Sequence, residues 1–268
     1  MRTSIIALAA GVALLAAPLT AAADFDHSHG EWDRLTHAHV RWIGGGVASR
    51  VDYRGFQKDR ARLRAYLDGL SAVPVAAFDR WNRKQRLAFL INAYNAFTVE
   101  LILTAYPDLD SIKDLGSLFK NPWKREFFTL LGQRRSLDDI EHGMIRAPGV
   151  YNEPRIHFAV VCAAIGCPGI RNEAFTAERL DAQLEDSLRR FLSDRSRNRY
   201  DAGANRLTVS KIFKWYADDF DAAYGSLGAF FARYAALLTA DPGQQVRIRR
   251  QSPTIDYLDY DWRLNDLR

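Results

Sequence analysis

Residues 83–105 read RKQRLAFLINAYNAFTVELILTA. Leu87, Leu90, Ile91, Tyr94, Phe97, Thr98, Leu101 and Ile102 recur at helical spacing and cover more than half of the circumference. The pattern predicts one long helix buried on most sides and ended by Pro107. A helix that is apolar nearly all round has to lie inside the molecule, so this one is the expected centre of the core.

Working outward, Gly30–Trp42 is predicted as a helix stopped by Gly44-Gly45-Gly46, and Val47–Tyr53 as a short extended piece. Asp59–Leu70 carries leucines at 63, 67 and 70 on one stripe of a helix. On the other side, Glu126–Leu131 and Arg134–Leu137 flank Gly132-Gln133 as a small hairpin. Ser136 and Asp139 resemble a capping box that opens a helix through Arg146. The apolar run Arg155–Ala164 suits a buried strand, and leucines at 180, 184, 188 and 192 mark another helix. Arg206–Val209 reads as extended, Ser210 as the cap of a helix through Phe220, and Ser226–Leu238 as a further helix. Gln245–Asp261 reads as extended, with Arg247, Arg249 and Arg250 on an outward strand face. Helices dominate over a few scattered strands. The expected fold is therefore α+β, a helix-rich single domain with a central buried helix and a small irregular sheet.

The N-terminus predicts export. Arg2 precedes an uncharged run centred on Ile5–Ala17; Pro18 breaks it, and Ala21-Ala22-Ala23 supplies small residues for cleavage after Ala23. The run is short for a membrane span of about 20 residues, so no stable anchor is expected after cleavage. The chain is then periplasmic or secreted, with residues 24–268 forming one globular domain, an ordinary size for a single domain. The 37 basic and 32 acidic residues are interleaved, for a formal net charge of +5. That describes a mixed-charge surface, and nucleic acid is not an expected partner.

Several separated blocks resemble one family. Ala88–Ala96 (AFLINAYNA), Leu137–Gly143 (LDDIEHG) and His157–Cys162 through Cys167-Pro168 carry the resemblance. So do Val51-Asp52-Tyr53, Phe213–Phe220 (FKWYADDF) and Tyr260–Asn265 (YDWRLN). Together they are similar to the domain of unknown function 547 family over nearly the whole exported part. The resemblance implies no activity, so chemistry has to be read from the residues.

His157 to Pro168 holds the only two cysteines. Cys162, among valines and alanines, reads as an unreactive thiol. Cys167 follows Gly166 and precedes Pro168-Gly169, at a turn where backbone N–H groups would stabilise a thiolate. A thiolate that attacks acyl groups works with a histidine, and His157 is the nearer candidate, with His142 as the other. In this reading Cys167 is the nucleophile and His157 the base, with Glu141 or Glu100 steadying the histidine. Asn92 and Asn95, on one helix face, would then orient substrate or stabilise an oxyanion; equally, as buried amides, they would tie the helix to neighbouring loops. The chain becomes a cysteine-dependent hydrolase or acyl/amide transferase of the envelope, acting on a peptide or small molecule.

The alternative has the two cysteines joined, as an oxidising compartment favours. Closing that loop would stabilise the domain by about 2–3 kcal/mol, and the chain would be a non-catalytic periplasmic binding or interaction domain. A reversible dithiol couple is a third option, though without C-x-x-C spacing. No metal or cofactor is expected: His27, His29, His37 and His39 have no accompanying cysteine pair or carboxylate cluster. Asp218 and Asp219 diverge on one helix, which does not suit a glycosidase pair, and one of them is expected to form a salt link. No phosphate-binding glycine loop and no Gly-x-Ser-x-Gly elbow occurs.

Overall fold

The computed structural model describes residues 25–117 and 121–267, so the expected leader lies outside the described residues. In chain order it contains α1 (Gly30–His39), β1 (Val40–Ile43), β2 (Ala48–Val51), α2 (Tyr53–Lys58), α3 (Arg60–Ser71), α4 (Val75–Phe78) and α5 (Arg83–Leu103). The hairpin β3 (Phe128–Leu130) and β4 (Gln133–Arg135) follows, then a π-helical segment, Asp139–Ile145, and a 3-10 helix, Pro154–Phe158. The remainder is α6 (Leu180–Ser193), β5 (Arg199–Asp201), β6 (Arg206–Val209), α7 (Ile212–Trp215), α8 (Ala217–Tyr224), α9 (Leu227–Arg233), α10 (Ala235–Leu238), α11 (Pro242–Arg249) and β7 (Thr254–Tyr257). The fold is α+β, helix-rich with small sheets around a buried helix of 21 residues.

That helix is α5. Asn82 caps it, accepting from the Gln85 backbone N–H while the Gln85 side chain accepts from the Asn82 N–H. Every residue from Leu87 to Val99, and Leu101 to Leu103, is buried. It is apolar enough to cross a membrane by length and composition, yet 89% of its most apolar window is covered by protein. It is a core helix.

Four regions depart from the sequence pattern. The first helix stops at His39, and Val40–Ile43 instead pairs antiparallel with β2 through the three glycines, all at positive φ. The β-branched and aromatic residues at 40, 42 and 43 favour that extended state. Arg155–Ala164 is not a strand. Pro154 starts a 3-10 turn capped by Glu153, and Asn95 then takes the place of a neighbouring strand: its Nδ2 donates to the Ala159 carbonyl (2.8 Å) and its Oδ1 accepts from the Val161 N–H (2.9 Å). The helices expected to run to Phe220 and Leu238 break at Tyr216 and Tyr234. Finally, 242–249 is helical, because Asp241 caps the Gln244 N–H and Pro242 occupies the first turn. The arginines at 247 and 249 therefore sit in its last turn.

Two buried clusters share the interior. The larger gathers around α5 and includes Cys167; the smaller is aromatic, built on Phe158, Phe191, Phe213, Phe220 and Phe230, and Tyr260 packs against both. The C-terminal segment crosses this seam. Ile165 and Gly166 donate to the Arg263 and Asp261 carbonyls, Asn265 N–H to Ala163, and Val51 N–H to Asn265. Gly166 has a structural reason to be glycine: a Cβ there would lie 3.0 Å from the Tyr260 ring.

Near the start of α1, His29 is 2% exposed with its Nδ1 2.7 Å from the Tyr66 hydroxyl. Burial pushes its imidazole down to about 3, only partly opposed by Asp26. An unfolded histidine titrates near ~6.5, so as pH falls below that value the unfolded state takes up the proton first and stability is lost. Between pH ~6.5 and ~4.5, wild type is expected to lose about 2–3 kcal/mol more than His29→Gln. Urea midpoints at the two pH values check this, and equal losses would refute it. His157 acts with the same sign, so only the difference between the two proteins reports on His29.

Candidate active site

A cleft of about 300 Å³ opens on the seam between the two clusters. Its walls come from α5 (Tyr94), the π-helical segment (Asp138 at its edge, Glu141, His142) and the loop carrying His157, Val160, Cys162 and Cys167. Further walls are α7 with Trp215, Tyr216, and the C-terminal segment (Tyr260, Trp262), with Trp123 at the mouth.

Cys162 and Cys167 are joined as a disulfide. Their exposure is the reverse of the sequence expectation: Cys167 is 3% exposed and Cys162 half-buried. The apolar neighbours of Cys162 are buried, while Cys162 itself lines the cleft beside the Tyr260 hydroxyl, and Ala163 next to it takes a left-handed conformation (φ 62°). Two donors converge on the Cys167 sulfur, the Cys162 backbone N–H at 3.1 Å and the Tyr260 hydroxyl at 3.0 Å; that hydroxyl is also 3.3 Å from the Cys162 sulfur.

His157 is 3% exposed, and its Nε2 lies 2.6 Å from Asp219 Oδ2. Burial lowers the imidazole pKa, outweighing the hydrogen bond and charge of Asp219 that raise it. Burial would by itself raise the Asp219 carboxyl, but the hydrogen bonds from His157 and Arg146 outweigh it and hold the group well below the usual carboxylate range. An ionised carboxylate only accepts, so the shared proton is on His157 Nε2 and the neutral ring has its lone pair on Nδ1. That Nδ1 is buried without a hydrogen-bond partner among the described residues. Arg146 grips Asp219 with Nε (2.7 Å) and Nη2 (3.1 Å) and lies 4.8 Å from the Tyr216 ring centroid.

Tyr216 joins this pair to Glu141. Its ring stacks on His157 at 3.8 Å between centroids, and its hydroxyl donates to Glu141 Oε1 at 2.7 Å. Burial pushes the Tyr94 phenol well above its ordinary value, and the neighbouring Glu141 carboxylate adds to the shift. Glu141 is buried and His142 exposed, as adjacent helical positions require, yet both reach the cleft.

The structure thus brings three of the sequence-derived residues, Cys167, His157 and Glu141, to one cleft. The other three lie elsewhere. Asn92 donates to the Phe175 carbonyl (2.7 Å) and accepts its N–H (2.9 Å); Asn95 holds Ala159 and Val161; Glu100 pairs with Arg60 and Arg64. Their polar atoms replace missing backbone partners or balance arginines, which leaves none of them facing the cysteines. The residue beside His157 is Asp219, not Glu141 or Glu100. The adjacent Asp218-Asp219 pair points to a salt link, but nothing in a chain separation of 62 residues selects His157 as its partner. Trp215 and Tyr216 also line the cleft, and Trp215 is 46% exposed. Among the described residues no group of three or more His, Cys, Asp or Glu is disposed to hold a metal.

No curated protein and no solved structure matches this chain. A family profile does match, over residues 78–192. That is narrower than the blocks at 51–53, 213–220 and 260–265 suggested, so Asp219, Tyr216 and Tyr260 fall outside the matched span. Over residues 78–192, which hold the central helix, Glu141, His157 and both cysteines, this chain is similar to the family described as "Protein of unknown function, DUF547".

Proposed function

We propose that the cleft is a thiol-chemistry site of an exported protein, a hydrolase or acyl/amide transferase whose nucleophile, Cys167, is stored as a disulfide with Cys162. The observation that carries the reading is the convergence of two donors on the Cys167 sulfur. A disulfide sulfur is a weak acceptor and gains little from them, whereas a thiolate gains charge-assisted hydrogen bonds that lower its pKa.

An external dithiol reduces the bond, giving two cysteine thiols and its own disulfide. The Cys167 proton passes to His157 Nδ1, and the sulfur attacks the carbonyl carbon of an ester or amide. The leaving oxygen or nitrogen takes that proton from the imidazolium, and a thioester remains on Cys167. Water, or an acceptor amine, then attacks the thioester, releases the acid or the new amide, and restores the thiol. Asp219 orients the histidine throughout and stabilises its charged form, while Arg146 holds Asp219 in place.

A second reading is favoured by the disulfide itself, that the cleft binds a ligand without reacting with it. Thiol chemistry separates the two. Without reductant, the native protein is expected to show no free thiol and no turnover of activated esters. After dithiothreitol treatment and its removal, iodoacetamide at pH 7 should modify Cys167 about tenfold or more faster than Cys162, given the thiolate dependence of alkylation. Ester turnover should appear with it and vanish in Cys167→Ser. Equal labelling of the two thiols with no turnover leaves the binding module.

A further inference from the structure

The charge and hydrogen-bonding character of the cleft point to a particular substrate class. The chain carries a net charge of +5, yet among the described residues no lysine or arginine lines the cleft, while Asp138 and Glu141 do. Glu141, buried in the lining, presents a carboxylate acceptor. Glu141 receives the Tyr216 hydroxyl and has further lone pairs to offer. His157 Nδ1 is left for the thiol proton, since the Nε2 proton is committed to Asp219. Tyr216 holds this carboxylate beside the histidine, with its ring on His157 and its hydroxyl on Glu141.

Around them stand aromatic faces. Trp215, Tyr260 and Trp262 are mutually packed at 4.6–5.8 Å between ring centroids, and Trp123 closes on Trp262 at 5.7 Å. The rim already holds one cation against a ring: Lys113 Nζ is 3.9 Å from the Trp262 centroid. Aromatic faces beside carboxylates attract organic cations, more strongly when water is excluded.

We propose that this cleft selects substrates bearing a primary ammonium group, which donates its N–H bonds to Glu141 and rests its charge against the tryptophan rim. The inference rests on the cleft being the functional site, and it names the substrate class for the chemistry proposed above.

The test uses the full exported chain in its disulfide form at pH 7, with tryptophan fluorescence as readout. The probes are hexylammonium, hexyltrimethylammonium, hexanol and hexanoate. Hexylammonium is expected to bind about tenfold or more tighter than hexanol, in line with one charge-assisted hydrogen bond. Hexyltrimethylammonium, which has no N–H, should bind more weakly than hexylammonium. Glu141→Gln keeps an acceptor for Tyr216 but removes the charge, and should bring hexylammonium down to the hexanol level. Trp215→Ala, at an exposed position, should weaken both cations without disturbing the fold. Equal binding of hexylammonium and hexanol, tighter binding of hexanoate, or a preference that survives Glu141→Gln overturns the proposal. Selective ammonium binding without turnover after reduction removes only the enzyme reading. Turnover after reduction without ammonium preference removes only the present inference.

Discussion

In the reduced protein, Asp219→Asn is expected to slow acyl transfer by about 10²–10⁴-fold, the range seen when a histidine base loses its orienting carboxylate. The physical cause is tautomer and position. Asp219 accepts from His157 Nε2 at 2.6 Å and is itself clamped by Arg146. An asparagine offers an N–H as readily as a carbonyl, so the imidazole is no longer confined to the form with a free Nδ1 lone pair. The acid limb of the kcat/KM profile should also move to lower pH, because the hydrogen bond and charge of Asp219 raise the imidazole pKa against the opposing effect of burial. A residue that merely braced α8 would reduce activity without moving that limb. An unshifted limb, or a rate within a few-fold of wild type, removes Asp219 from the mechanism.

Asn92→Ala is expected to destabilise the fold by about 3–5 kcal/mol, because it strands both backbone groups of Phe175 in the interior. For a chain of this size that corresponds to a fall in Tm on the order of 10 °C. Asn95→Ala should act similarly through Ala159 and Val161. Since that peptide segment leads directly into Cys162, Asn95→Ala should also loosen the cysteine loop. For Asn92→Ala, turnover per folded molecule after reduction should stay within about twofold of wild type, as expected for a site that it does not touch. Calorimetry alongside turnover decides the matter. Lost turnover at an unchanged Tm would return Asn92 to a substrate-binding role.

These two results would bear on what the residue pattern can and cannot convey. The dominance of α5 was legible from the spacing of Leu87 to Ile102, and the capping pair Ser136–Asp139 was legible because its hydrogen bonds close over three residues. The β3–β4 hairpin was legible from Gly132, which adopts the positive φ that the turn needs. The segment 155–164 was misread, because an apolar run satisfies a buried strand and a buried irregular loop equally well. Only the position of Asn95, 64 residues earlier, decides which it is. The arginine-rich stretch at 247–250 was misread for a different reason: the cap at Asp241 and Pro242, just upstream, sets a helix that the alternating arginines do not reveal.

For the cleft, residue type carried part of the information. A cysteine pair beside a histidine, and an acid on the capped segment, singled out Cys167, His157 and Glu141, and all three line the cleft. Asp219, Tyr216 and Tyr260 were not assigned there, since they meet His157, Glu141 and the cysteines, respectively, from chain positions 62 to 98 residues away.

By itself, then, the amino-acid sequence determined whatever depends on neighbours along the chain: the periodicity of α5, the helix caps, the turn glycines and the α+β class. The tertiary structure alone decided the bonded state of Cys162 and Cys167, the pairing of His157 with Asp219, and the seating of Tyr260 against both sulfurs. The reason is one of range. Backbone preferences and side-chain spacing act over a few residues, whereas a catalytic contact depends on which distant segments the packing of two hydrophobic clusters brings to the same seam.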